Sequence, residues 1–124
     1  AIIFCGAKPV LCDTNKSGLV DKNSVKRFLT KKTKAIIAVH IYGFFCDIDS
    51  LRCFKVPIIE DACQAFGLQV KNTFAGNFGD LSILSFHATK CLTTGEGGML
   101  LTNKKEYALK IKSFLSKDNK VIIG

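Results

Sequence analysis

Short apolar runs alternate with amphipathic segments along most of the chain. Residues 35–39 (Ala-Ile-Ile-Ala-Val) and 56–59 (Val-Pro-Ile-Ile) are continuous apolar stretches, the pattern of strands buried on both faces of a parallel sheet. Residues 81–86 and 98–102 read as two further strands. Between them lie helical patterns. Residues 21–30 place Val25, Phe28 and Leu29 on one face, 47–54 open on an acid and carry Ile48 and Leu51, and 104–115 turn Tyr107, Ala108, Ile111 and Leu115 inward. Two brief β-like runs, Ile2-Ile3-Phe4 and Val10-Leu11-Cys12, flank a turn at 6–9, and the Gly- and Asn-rich stretch 67–80 reads as one long loop. There is no repeat, no low-complexity tract and no linker. Strand–helix alternation of this kind predicts a three-layer α/β architecture, with a mostly parallel sheet and helices on both faces.

Composition agrees with a packed core. The chain has 124 residues, 48% of them hydrophobic and 23% charged, which excludes a disordered polyelectrolyte. It begins at Ala1 inside an apolar run, holds its single methionine at Met99 and stops on the apolar stretch 121–124, so it reads as an internal piece of a longer protein. The net charge of +8 favours anionic ligands. The lysines are scattered, with clusters only near 31–34 and 104–120, and no interleaved aromatic and basic pattern marks a nucleic-acid surface. Six cysteines form no CxxC pair, and with His40 and His87 they complete no zinc spacing. Most lie in apolar stretches, which predicts reduced, buried thiols in a cytoplasmic protein. The longest apolar run, 35–46, is interrupted by His40 and Gly43 and falls short of the ~20 residues of a membrane helix.

In open α/β sheets ligands sit beyond the carboxyl ends of the strands. The residues that follow the predicted strands are His40-Ile41-Tyr42-Gly43, Glu60-Asp61-Ala62-Cys63-Gln64 and Ser85-Phe86-His87-Ala88-Thr89-Lys90. Carboxylate, amide, hydroxyl, imidazole and amine thus converge on one edge. A partly desolvated lysine amine there can form a Schiff base with an aldehyde such as that of pyridoxal 5'-phosphate. A carboxylate at Asp61 can keep a pyridine nitrogen protonated, Ser85 can donate to a phosphate, and Gln64 can donate to a ring oxygen. Taken singly, Lys90 also fits an ordinary exposed loop lysine, and Asp61 fits the cap of a helix starting at Ala62. The turn Thr93-Thr94-Gly95-Glu96-Gly97-Gly98 offers amides to a phosphate but matches neither nucleotide-binding glycine pattern.

The segments GAKPVLCD, KAIIAVHIYGFFCDID, IIEDACQAFG and GNFGDLSILSFHATKCLTTGEGGMLLT resemble, in order and spacing, the DegT/DnrJ/StrS-type sugar aminotransferases, enzymes of the fold type I class that use pyridoxal phosphate. The resemblance implies that residues 1–124 are part of the large catalytic domain, without the family's N-terminal segment and small C-terminal domain. It implies Lys90 as the Schiff-base lysine and general acid–base, Asp61 facing the pyridine nitrogen, Gln64 near the ring oxygen and Ser85 on the phosphate. His40 and His87 are given structural roles. The implied reaction moves an amino group, from glutamate, onto a keto group of a nucleotide-linked sugar in a cytoplasmic homodimer, with no metal, nucleic acid or membrane involved. Two other readings follow from the same pattern: a truncated non-catalytic remnant, and a deoxygenating or dehydrating relative. Members of the latter kind carry histidine where this chain has Lys90. Cys63 and Cys91 stand where alanine and asparagine are usual.

Overall fold

The computed structural model describes residues 1–116; the apolar tail 121–124 and the end of the lysine-rich stretch 104–120 lie outside the described residues. Helix α1 (Lys22–Phe28) starts where Asp21 accepts the Ser24 N–H at 2.7 Å, and it carries Lys26 and Arg27 in its last turn, where the helix dipole favours cations. It buries Ser24 and Val25, whereas Phe28, expected on the same face, is 46% exposed. Strand β1 (Ile36–Val39) leads to the short helix α2 (Ile48–Leu51), capped by Asp47 and continued by a 3-10 turn at Arg52–Phe54. Strand β2 (Ile58–Asp61) follows, then a two-stranded hairpin of β3 (Gln69–Val70) and β4 (Thr73–Phe74). Strands β5 (Leu81–Ser85) and β6 (Gly98–Leu101) and helix α3 (Lys105–Ser116) complete the described chain.

The main sheet has the order β1-β2-β5-β6, parallel except for the antiparallel β5–β6 pair. Its register sets Val39 beside Asp61 and Asp61 beside Ile83. One face carries Ile36, Ala38, Ile58, Glu60, Ser82 and Leu84, all buried. Leu19, Val25, Ile48, Leu51 and Phe78 complete the larger apolar core there. The other face carries Ile37, Val39, Ile59, Asp61, Ile83 and Ser85. Among the described residues it is open at β1, where Ile37 and Val39 are 40% and 38% exposed. Helix α3 meets this face only near the strand starts, bounding a cleft of about 270 Å³ with Pro57, Ile59, Leu81, Tyr107 and Ile111. Ala108, expected inward, is exposed.

Three further expectations change. Ile2-Ile3-Phe4 is not a strand: Ile3–Cys5 forms a 3-10 turn closed by Gly6 in the left-handed region. Among the described residues the run at 10–12 has no partner strand either, and a strand exists only by pairing. The stretch 67–80 is not structureless, because Lys71 and Asn72, both at positive φ, turn β3 into β4. All six cysteines are free, but only Cys46 is buried, and Cys5, Cys53 and Cys91 are exposed.

Glu60 ties these parts together. Its side chain is fully buried. Oε1 accepts from His40 Nε2 at 2.8 Å and the Gly76 N–H at 2.6 Å; Oε2 accepts from the Phe78 and Gly79 N–H groups at 2.8 and 2.7 Å and from Ser82 Oγ at 2.9 Å. The Cys46 N–H donates to His40 Nδ1 at 3.0 Å, so that nitrogen carries no proton and Nε2–H is the donor to Glu60. Burial alone would push the Glu60 carboxyl up, but the His40, Gly76, Gly79 and Ser82 hydrogen bonds overcome it and bring the group from an ordinary 4.5 to about 2. A second clamp sits at the strand starts. Asp80 accepts from the Ile58 N–H at 2.7 Å and pairs with Lys104 at 2.7 Å, bonds that hold its carboxyl below the usual range against the upward pull of burial.

Two predictions concern this framework. A Cβ at Gly79 would stand 2.7 Å from both Glu60 Cβ and Leu81 O, so Gly79→Ala should cost about 1–3 kcal/mol, read as a lower denaturant midpoint; an unchanged midpoint contradicts the packing. Because the folded Glu60 carboxyl titrates below its unfolded value, its contribution is complete above about pH 5 and lost as the pH falls towards 2. Glu60→Gln should therefore unfold about 3 kcal/mol more easily than wild type at neutral pH, with the gap closing in acid. Stability curves that stay parallel down to pH 2 would refute this.

Candidate active site

The parallel pairing of β2 and β5 brings two strand ends side by side. Asp61 closes β2, and the Ala62 N–H bonds to Ile83 O at 3.0 Å. Ser85 lies two residues beyond Ile83, the register partner of Asp61, and so faces the same open side of the sheet. No helix starts after Asp61. Its Oδ1 instead accepts the Cys63 N–H at 3.0 Å in a tight turn, and this removes the cap reading. Gln64, exposed, accepts the Tyr42 N–H on its Oε1 at 3.3 Å, which ties the turn after β1 to the turn after β2. Tyr42 adopts a left-handed φ of 52° to make that contact.

Lys90 stands in a hydrogen-bonded loop rather than on a flexible arm. Its N–H closes a turn onto His87 O at 2.9 Å. Phe86 anchors the loop: its N–H donates to Gly97 O at 2.8 Å, and its carbonyl accepts from the Thr94 N–H and Thr93 Oγ1 at 3.0 and 3.1 Å. Gly97 has no room for a side chain, since a Cβ would meet Thr94 Oγ1 at 2.5 Å. Lys90 is half-buried. Burial and the Asp61 carboxylate push the Cys63 thiol up to about 11, and the Lys90 ammonium pulls it the other way.

Each of these four side chains has a polar function left over. Among the described residues Lys90 makes no side-chain hydrogen bond or ion pair, and Asp61 keeps one carboxylate oxygen unpartnered. Ser85 Oγ accepts from the His87 N–H at 3.4 Å, leaving its own proton to give, and the Gln64 amide nitrogen is likewise unspent. An amine, an anionic acceptor and two neutral donors on one sheet edge suit pyridoxal phosphate, which needs an amine for its aldehyde, an acceptor for its ring nitrogen and donors for its oxygens. His40 lies in the core against Glu60, whereas His87 is exposed, bonded to Thr89 Oγ1 at 3.0 Å and 3.6 Å from Glu96. Among the described residues no three His, Cys, Asp or Glu side chains could share a metal ion, and no helix is long and apolar enough to cross a membrane. Glu60, the most connected carboxylate among the described residues, follows the strand expected at 56–59, but β2 runs on to Asp61 and turns its side chain into the core, away from the edge where the sequence placed it. Its signal was an acid inside an apolar strand, where period-two alternation turns it towards the core.

Comparison with known proteins places the fold. The chain is 47% identical over 107 residues to the GDP-perosamine synthase of Vibrio cholerae, covering 82% of this chain and 29% of that protein. It superposes on DesI, solved in the presence of its TDP-sugar product, with a TM-score of 0.86 at 32% identity, over 92% of this chain and 30% of that one. NtdA from Bacillus subtilis, solved with bound cofactor PMP, matches with a TM-score of 0.83 at 31% identity, over 92% of this chain and 27% of that one. The chain thus spans about 30% of the length of the relatives it matches. These structures have the fold type I architecture, and the sheet described here is part of it. Residues 1–120 match the DegT/DnrJ/EryC1/StrS aminotransferase family, and the chain belongs to that family.

Proposed function

We propose that this chain is the cofactor-holding part of the large domain of an enzyme that moves an amino group, taken from glutamate, onto a keto group of a nucleotide-linked sugar. The observation that carries the proposal is the set of four unspent polar functions on two adjacent strand ends. The sugar-nucleotide names of relatives and neighbours, GDP-perosamine synthase and DesI with a TDP-sugar product, support the substrate class. The PMP bound in NtdA supports the cofactor. The partners of the whole protein, a second copy included, belong to this proposal.

Pyridoxal phosphate, when bound, supplies an aldehyde for imine chemistry and a protonated ring that accepts the electrons of a deprotonated α-carbon. The free carboxylate oxygen of Asp61 would hold the proton on the pyridine nitrogen, with Cys63 N–H fixing its other oxygen. Ser85 would donate its hydroxyl proton to the phosphate, and Gln64 its amide to the ring oxygen. Lys90 Nζ would anchor the cofactor, then take the proton from the α-carbon of the donor and return it one position along. The rigid 86–97 loop limits where that amine can travel, which aids repeated transfer between two nearby carbons. A lysine at this position, rather than histidine, favours transamination over sugar deoxygenation.

Borohydride reduction of the protein saturated with pyridoxal phosphate should leave a pyridoxyl group that peptide mass spectrometry locates on Lys90, with none in Lys90→Ala. Asp61→Asn should still label but lose amino transfer by roughly a hundredfold or more. Labelling of another lysine in the wild type, or a label that survives Lys90→Ala, would sink the proposal.

A further inference from the structure

Glu60 projects from β2 on the side away from the site, and the chemistry above leaves it unused. We propose that Glu60 is a positioning residue for the cofactor site, acting through His40 to hold the turn after β1 against Asp61 and Gln64. The inference rests on the reading of this site as one for pyridoxal phosphate.

His40 is held at three points. Its backbone N–H donates to Asp61 O at 3.0 Å, its Nε2–H donates to Glu60 at 2.8 Å, and its Nδ1 accepts from the Cys46 N–H at 3.0 Å. Phe45 stacks on the imidazole at 4.6 Å, and Phe78 closes edge-on against Phe45 at 4.6 Å, so the ring has no room to swing. Two residues beyond His40, Tyr42 reaches Gln64. Glu60 is therefore linked through the His40 ring to a turn whose backbone N–H groups bond Asp61, at the end of β2, and Gln64, in the turn after it. The link is directional. With Nδ1 occupied by the Cys46 N–H, the ring can only donate towards Glu60, and no other carboxylate among the described residues bonds it. Loss of the acceptor leaves a buried N–H without a partner, a state the turn can relieve only by moving.

Ser82 provides the comparison. It too gives Glu60 one hydrogen bond, at 2.9 Å, but its side chain bonds nothing else, and although it precedes Ile83, the register partner of Asp61, it does not hold the turn after β1. A purely structural hub predicts that removing either donor matters only through stability. A positioning role predicts that they differ at the cofactor.

The test compares His40→Ala and Ser82→Ala in the holoprotein, reading thermal midpoint, pyridoxal phosphate Kd and the pH titration of the cofactor's visible absorption. His40→Ala should raise Kd by about tenfold or more and displace the titration midpoint, while Ser82→Ala lowers only the thermal midpoint. His40→Gln, whose amide reaches the position of Nε2, should recover much of the loss. Glu60→Leu, which offers the His40 Nε2–H no acceptor, should follow His40→Ala wherever it folds. Equal effects of the two alanine variants on Kd and absorption, or no effect of either, would overturn the inference. A wild type without a reducible adduct on Lys90 would instead overturn the reading of the site, and the inference with it.

Discussion

A single buried carboxylate holds the centre of this structure. Glu60 takes five hydrogen bonds, from β1's exit, from the backbone of the loop at 76–79 and from β5. An ionised group with no access to water survives only when its lone pairs are satisfied in this way, and the requirement works in both directions. The charge needs the loop folded over it, and the loop's amides, buried themselves, need the charge. Gly79 lets the loop approach within van der Waals contact of Glu60 itself. Once the loop is closed, Asp80 falls where it can bond the first residue of β2 and pair with Lys104. Both ends of β2 are thereby fixed, one by Glu60 and the other by Asp80.

The neighbouring carboxylate inherits that rigidity. Alternation along a strand sends Glu60 into the core and Asp61 to the open face, so the proposed function has the dipeptide divide structural and chemical work between two sides of one sheet. Asp61 is held by its backbone pairing to His40 and by the Cys63 N–H on one oxygen. The other oxygen, the Lys90 amine, the Ser85 hydroxyl and the Gln64 amide face a space that no described residue fills with hydrogen bonds. Under the proposed function these four groups, at the carboxyl edge of a mostly parallel sheet, are the ones that meet the cofactor.

Much of this was legible in the chain. The apolar runs mark β1, β2, β5 and β6, Asp21 and Asp47 mark two helix starts, and the strand-end rule groups Asp61, Gln64, Ser85 and Lys90. The failures have physical causes. Ile2 to Phe4 has a strand's composition, but pairing depends on a neighbour that composition does not reveal. The β3–β4 hairpin turns at Lys71-Asn72, without the glycine that usually marks positive φ, and its strands of two residues are too short to show alternation. Glu60 was passed over in favour of Asp61 because its donors lie 16 to 22 residues away, beyond the reach of any local pattern.

The claim at the centre of this account is that β2 presents Asp61 to the ring nitrogen of pyridoxal phosphate. Nitrogen-15 NMR of ring-labelled cofactor bound to the protein addresses it directly. The account predicts the shift of a protonated pyridine nitrogen near neutral pH, and its replacement by that of the unprotonated ring in Asp61→Ala. An unprotonated nitrogen in the wild type, or a protonated one that survives Asp61→Ala, would contradict it.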